Sequence, residues 1–316
     1  MFRQCVTMLL GATAVWVAPA AQIEWMTDLE EAGKRARKEG KMLLVEFTGS
    51  DWCKACIIQK KNVLDNPEFV DWVHQNFIPV EVNVPNDPSL VGGEAQLSKN
   101  KKICEDYGIS IFPSIMIMSP DLVLLGGYQG SMPTSAAAMA ALNNCQSSVA
   151  EYEKAMELKG VERAKALYAI YQRKSEEERA LAYPLLRLIA RADKENVTGV
   201  QAIYKPLHQK KTFERKFAAA KNFEEQLKIV DSYIAKALPE NKSAFLRCKE
   251  SILRLQVMKI MKNPSSVEEI IYARDLALQS ADCMENPAER EKIIKHIKDY
   301  YSDPEALYRK AKENKK

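Results

Sequence analysis

Histidine is nearly absent from this chain. His74, His208 and His296 are the only three, and they lie far apart. No histidine cluster is therefore at hand for a metal centre or a Ser/His hydrolase. Phosphate loops fare no better: Gly92-Gly93 and Gly126-Gly127 lack the strand–loop–helix context and read as turns. Beyond the first twenty residues no stretch approaches the roughly 20 apolar residues of a membrane helix. Excess charge is also scarce, at +4 formally. The basic run Lys205, His208, Lys210, Lys211, Arg215, Lys216 and Lys221 could meet an anionic partner, but Glu214 interrupts it and it reads as a solvated helix face, with no nucleic-acid partner.

Cysteine is sparse too. Seven occur in 316 residues, far below the density of a disulfide scaffold. Cys5 sits in an N-terminal stretch that has the marks of a secretory signal peptide over residues 1–20. Arg3 supplies the positive start, residues 6–17 are apolar, and Ala18-Pro19-Ala20 is small enough for cleavage. A retained anchor is the alternative; Cys5 lies too early to be a lipidated cysteine. Export would place the mature chain in the periplasm or outside the cell, where disulfides persist and a reactive dithiol needs a redox partner. Cys104, Cys145, Cys248 and Cys283 read as small buried apolar side chains, although Cys248 and Cys283 could pair across neighbouring helices. Only Cys53 and Cys56 have a motif spacing. A second pair that would make a zinc site is missing, so neither a metal nor a bound cofactor is expected.

The chain has two textures. Residues 1–150 carry a formal charge of −4 and residues 151–316 one of +8, and the hydrophobic pattern changes near the same point. We therefore expect an α/β domain over residues 21–148 and an all-α domain over 149–316. In the first, the order is helix from Asp28, strand Met42 to Phe47, helix through Val63, short helix Glu68 to Asn76, strand Phe77 to Val84, helix Glu94 to Tyr107, strands Ser114–Met118 and Val123–Tyr128, and a closing helix from Thr134. That order calls for a mixed sheet with helices on both faces. In the second, apolar residues recur at helical spacing and prolines at 184, 206, 239, 264, 287 and 304 punctuate the run. Six to nine helices would account for it, as a bundle or a solenoid of helical hairpins, without a strict repeat. Ten of the twelve tyrosines lie there; they serve helix packing or a peptide-binding face.

The chemistry concentrates in Glu46-Phe47-Thr48-Gly49-Ser50-Asp51-Trp52-Cys53-Lys54-Ala55-Cys56. An apolar strand precedes it and a helix can follow. Two thiols three positions apart at a helix start can reach each other, one exposed with a depressed pKa and the other a turn deeper. This suits thiol–disulfide exchange.

The strand before Trp52-Cys53, the stretch Ile111-Phe112-Pro113-Ser114 about sixty residues later, and the element order together resemble the thioredoxin fold. The run Phe47 to Cys53 is similar to exported bacterial thioredoxin-like proteins of the thioredoxin-7 or disulfide-reductase type. The likeness covers residues 22–147. It implies that Cys53 is the exposed attacking cysteine and Cys56 the resolving one. It implies further that Trp52 flanks the motif, that Pro113 is a cis-proline facing the dithiol, and that Phe112 offers its backbone to substrate. Glu46 falls near the family's buried proton-relaying acid, with one extra residue between it and the dithiol; an exposed strand residue is the alternative. Lys54-Ala55 leaves reductase, isomerase and oxidase open. The expectation is an extracytoplasmic thiol–disulfide oxidoreductase, using only its Cys53–Cys56 disulfide, that reduces or reshuffles disulfides in exported proteins and draws on a membrane electron donor or acceptor. The alternative is a binding module, whose helical domain recruits a protein partner while the first domain is a scaffold.

Overall fold

A computed structural model describes residues 22–313, so the expected signal peptide over residues 1–20 lies outside the described residues. Helix α1 (Leu29–Glu39) starts where the Asp28 carboxylate accepts from the amides of Glu30 and Glu31, and stops at Gly40 in a left-handed conformation. Strand β1 (Met42–Thr48) leads to α2 (Lys54–Gln59), which widens into a π-type turn over Lys60–Leu64. Asn66 and Pro67 break that run and open α3 (Pro67–Asn76), which leads straight into β2 (Phe77–Asn83). Then come α4 (Glu94–Asp106), β3 (Ser114–Met118), β4 (Leu124–Gln129) and α5 (Ser135–Asn143).

The sheet order is β2-β1-β3-β4, with β1 parallel to β2 and antiparallel to β3, and β3 antiparallel to β4. β1 is thus central, and its alternation divides the core. Leu43, Val45 and Phe47 face α1 and α4 with Ile78, Val80, Met116 and Met118. Leu44 faces α3 and α5 with Phe69, Val73, Ile115, Ile117 and Leu142. The outer side of β2 is met by Met26, which bridges to Val80, accepts from Glu81 N–H at 2.8 Å and donates to Pro79 O at 3.0 Å. At β4, Gly127 (φ 147°) lies so close to the β3 backbone that a Cβ would collide with the carbonyl of Ile115.

Ten helices follow among the described residues, against the six to nine expected: α6 (Gln146–Glu157), α7 (Gly160–Gln172), α8 (Glu176–Ala180), α9 (Tyr183–Ala192), α10 (Gln201–Ala218), α11 (Phe223–Ile234), α12 (Pro239–Lys262), α13 (Val267–Asp282), α14 (Pro287–Tyr300) and α15 (Pro304–Glu313). The excess comes from α8, a single turn closed by a Ser175–Glu178 capping box. Pro184, Pro239, Pro287 and Pro304 start helices, whereas Pro206 sits inside α10 rather than at a boundary.

Packing divides the chain at Thr198/Gly199, not where the texture changes at 148/149. Three approaches bind α6–α9 to the sheet region. Gly126 leaves room for Cys145, Gly108 for Leu181, and the Tyr152 hydroxyl donates to Asp121 at 3.2 Å. The second unit has its own core of Phe213, Val230, Tyr233, Phe245 and Ile252, with Phe213 and Phe245 rings 4.7 Å apart. Among the described residues no helix is long and apolar enough to cross a membrane.

A candidate dithiol site

Cys53 occupies the N-cap of α2, and its Sγ accepts from the Cys56 amide at 3.1 Å. The two cysteines are joined as a disulfide with their Cα atoms 5.2 Å apart. One expectation needs correction here. In this oxidised form Cys53 is not exposed: it retains 6% of its surface and Cys56 only 2%. The capping position turns the sulfur back over the first helical turn. Cys53 is still the more accessible of the two.

The loop that carries the pair is tied to the end of β2. Ser50 N donates to Asn83 Oδ1 at 3.1 Å, Asn83 Nδ2 returns a bond to Ser50 Oγ at 2.8 Å, and Asn100 Nδ2 donates to Asn83 O at 2.7 Å. The Asp51 carboxylate accepts from the amides of Asn86 and Asp87, both at 2.9 Å. Those bonds, Asn86 first, hold its pKa below the usual carboxylate range. Trp52 donates from Nε1 to Val84 O at 2.8 Å, and its ring meets Phe112 edge-on at 5.6 Å. The indole lies directly on Gly49, where any Cβ would occupy the same space. Gly49→Ala should therefore displace the half-exposed indole rather than unfold the chain. The check is a shift in Trp52 fluorescence, measured against Trp52→Phe, with the unfolding midpoint nearly unchanged.

The Phe112–Pro113 peptide bond is cis. Pro113 O accepts from Gly130 N at 2.8 Å and Ser114 Oγ donates to Ile111 O at 2.6 Å, which fixes the loop on both sides. The Trp52–Phe112 contact brings this loop beside the dithiol loop.

Glu46 is sealed in the sheet at 3% exposure, so it is not an exposed strand residue. Burial, reinforced by the Glu81 carboxyl and only partly offset by Lys60, pushes its pKa up to about 8. Strand register aligns Glu81, Glu46, Ile115 and Tyr128 in one row across all four strands. On α2 the Gln59 side chain is fully buried, and its Oε1 accepts from Met132 N at 2.9 Å. Sequence reasoning singled out none of Asp51, Gln59, Glu81, Asn83 and Tyr128.

Cys104, Cys145, Cys248 and Cys283 are free thiols, so the possible Cys248–Cys283 pairing is not formed. Burial raises the pKa of all four, that of Cys104 to about 11. These are poor nucleophiles. Among the described residues no three His, Cys, Asp or Glu side chains gather as a metal site.

Comparison with known proteins gives concordant results. Residues 24–120 match the thioredoxin-like family. The chain is 28% identical over 102 residues to the disulfide bond reductase DsbH of Chlamydia pneumoniae, covering 32% of this chain and 60% of that protein. It is 32% identical over 97 residues to the thioredoxin-related protein DsbJ of the same organism, covering 31% of this chain and 27% of that protein. The chain thus spans less than two thirds of either curated relative. Among solved structures, a DsbH oxidoreductase aligns with a TM-score of 0.37 and 24% identity, covering 44% of this chain and 94% of that one. The oxidised C-terminal domain of DsbD from Neisseria meningitidis aligns with a TM-score of 0.29 and 20% identity, covering 38% and 98%.

Proposed function

From the premise that residues 24–120 are a thioredoxin-like domain, we propose that this chain is an exported thiol–disulfide oxidoreductase that reduces or reshuffles disulfides in other exported proteins. The observation that carries the reading is the Cys53–Cys56 disulfide at the start of α2, beside the cis Phe112–Pro113 loop. The curated relative named a disulfide bond reductase favours the reductive direction.

In that direction the reduced Cys53 thiolate attacks one sulfur of a substrate disulfide. A Cys53–substrate bond forms and the first substrate sulfur leaves as a thiol, taking a proton. Cys56, its proton passed to Glu46, then attacks Cys53 Sγ. The intramolecular disulfide closes and the second substrate sulfur leaves, also taking a proton. Two electrons move from the protein to the substrate, so a membrane-bound dithiol donor must return them. The helix N-terminus favours the thiolate of Cys53. Trp52, Phe112 and Pro113 would hold the substrate chain. The exposed apolar side chains near them, Ile57, Ile58 and Ile111, suit an unfolded apolar segment better than a charged one.

The test is the reduction potential of the pair, from equilibration in glutathione buffers with mass-spectrometric readout of the Cys53–Cys56 peptide. A value near that of thioredoxin, about −270 mV, is expected. A value near −120 mV would mark an oxidant instead. A pair that does not cycle would leave a binding module. Leu255 and Met258 of α12 are exposed one helical turn apart, so that reading keeps a surface for a partner.

A further inference from the structure

We propose that Glu81 is a positioning residue for the dithiol: with Glu46 it forms a carboxyl pair that holds one proton between them beside the helix carrying Cys56. This rests on the reading of Cys53 and Cys56 as the exchanging pair.

β1 and β2 run parallel with Glu46 opposite Glu81, and neighbouring strands lie about 4.8 Å apart. Residues in register on adjacent strands point to the same face. That face is the one covered by the turn after α2, by α3 and by α5, where Leu44 of β1 packs. Glu46 is sealed and Glu81 is partly buried. Two ionised carboxylates on one face of neighbouring strands, with little water between them, repel, and one proton held by the pair relieves the repulsion.

The surroundings offer no better remedy. The cation acting on both carboxyls is Lys60, but its side chain is 63% exposed and is ion-paired to Asp65 at 3.0 Å. Asp65 adds further negative charge on the same side. From β4 comes the Tyr128 hydroxyl, within electrostatic reach of Glu46. Tyr128 Oη is buried without a hydrogen-bond partner among the described residues. Such groups are costly unless they serve a polar neighbour. Here the hydroxyl shares a row with a carboxyl that must change its protonation state, and burial keeps the tyrosine itself a neutral donor.

The two carboxyls are not equivalent. Glu46 is closed to solvent, and Glu81 opens toward Lys60. The inner one therefore trades a proton with the dithiol and the outer one trades it with water. Glu81 sets the pH at which Glu46 becomes a base able to take the Cys56 proton.

The experiment is a carboxyl 13C NMR titration of the oxidised full chain, with the Glu46 resonance assigned by Glu46→Gln. In Glu81→Gln the Glu46 midpoint should fall by about one pH unit, a tenfold loss of proton affinity. In Glu81→Asp, which restores the charge, it should stay close to wild type. The pH profile of mixed-disulfide release should move with the midpoint. A Glu46 midpoint unchanged in Glu81→Gln overturns the proposal. The titration needs no turnover, so a protein that fails to cycle sinks the exchange reading while the midpoints still decide the pairing.

Discussion

Cys56→Ser should convert the protein from a catalyst into a trap. Cys53 would still attack a substrate disulfide, but nothing inside the molecule would resolve the adduct. Mixed disulfides should accumulate, survive dilution, and be released only by an added reductant. Turnover should fall roughly 10³-fold, because an external thiol must replace one held in place by the helix. Cys53→Ser should form no adduct at all, since Cys56 is the more deeply buried sulfur. Non-reducing gels and intact-mass spectrometry separate the three forms. Adducts formed equally by Cys53→Ser would overturn the assignment of the attacking sulfur. Stability is a minor complication. A disulfide that closes so short a loop contributes about 2 kcal/mol, against a total of roughly 5–15 kcal/mol for a domain, so either variant should remain folded.

The second large effect concerns Glu46. Its carboxyl titrates near 4.5 when unfolded and is raised to about 8 by burial first and Glu81 second. Between those values the folded chain binds a proton that the unfolded chain has released. Stability therefore falls as pH rises through this window and is level on either side of it. The full difference is roughly 5 kcal/mol. Glu46→Gln keeps the size and hydrogen-bonding character of the neutral acid but cannot ionise. It should match wild type at pH 4 and exceed it by a few kcal/mol above pH 8. Denaturant midpoints at the two pH values provide the check. A wild-type stability that does not decline between them, relative to the variant, would mean that Glu46 is ionised in the fold. The same variant should resolve mixed disulfides more slowly, so stability and turnover move in opposite directions.

What could be read from the sequence was local. Asp28 and Gly40 marked the ends of α1, and Asn66-Pro67 marked a break; each acts through its own backbone geometry. Cys53 and Cys56 announced themselves because one helical turn separates them. Glu46 could be given a role only through resemblance, since its burial depends on neighbours from other strands. Its partner Glu81 stands 35 positions later, and nothing local to either residue reveals that the two share a row. The alternation of β2, with Ile78, Val80 and Val82 apolar, makes Glu81 look like an ordinary outward-facing charge until the opposite face proves to be covered as well. Gln59 and Tyr128 were hidden for the same reason. The division of the chain was hidden too. Small residues at Gly108 and Gly126 admit Leu181 and Cys145, and a glycine's sequence context does not say what will approach it.

The sheet's outer strands carry one more consequence. Met26 already takes hydrogen-bonding positions on the free side of β2, and Pro79 has no amide to offer there. At the other side the pairing of β4 with β3 shifts register between Ile117 and Met118, an irregularity that bends an edge strand. Unfolded chains are the material this domain is proposed to handle, and they are the chains most apt to adhere to an open strand. With both borders made unwelcoming, a client meets the domain at the dithiol loop rather than along the sheet, and it is free to depart once the mixed disulfide is broken.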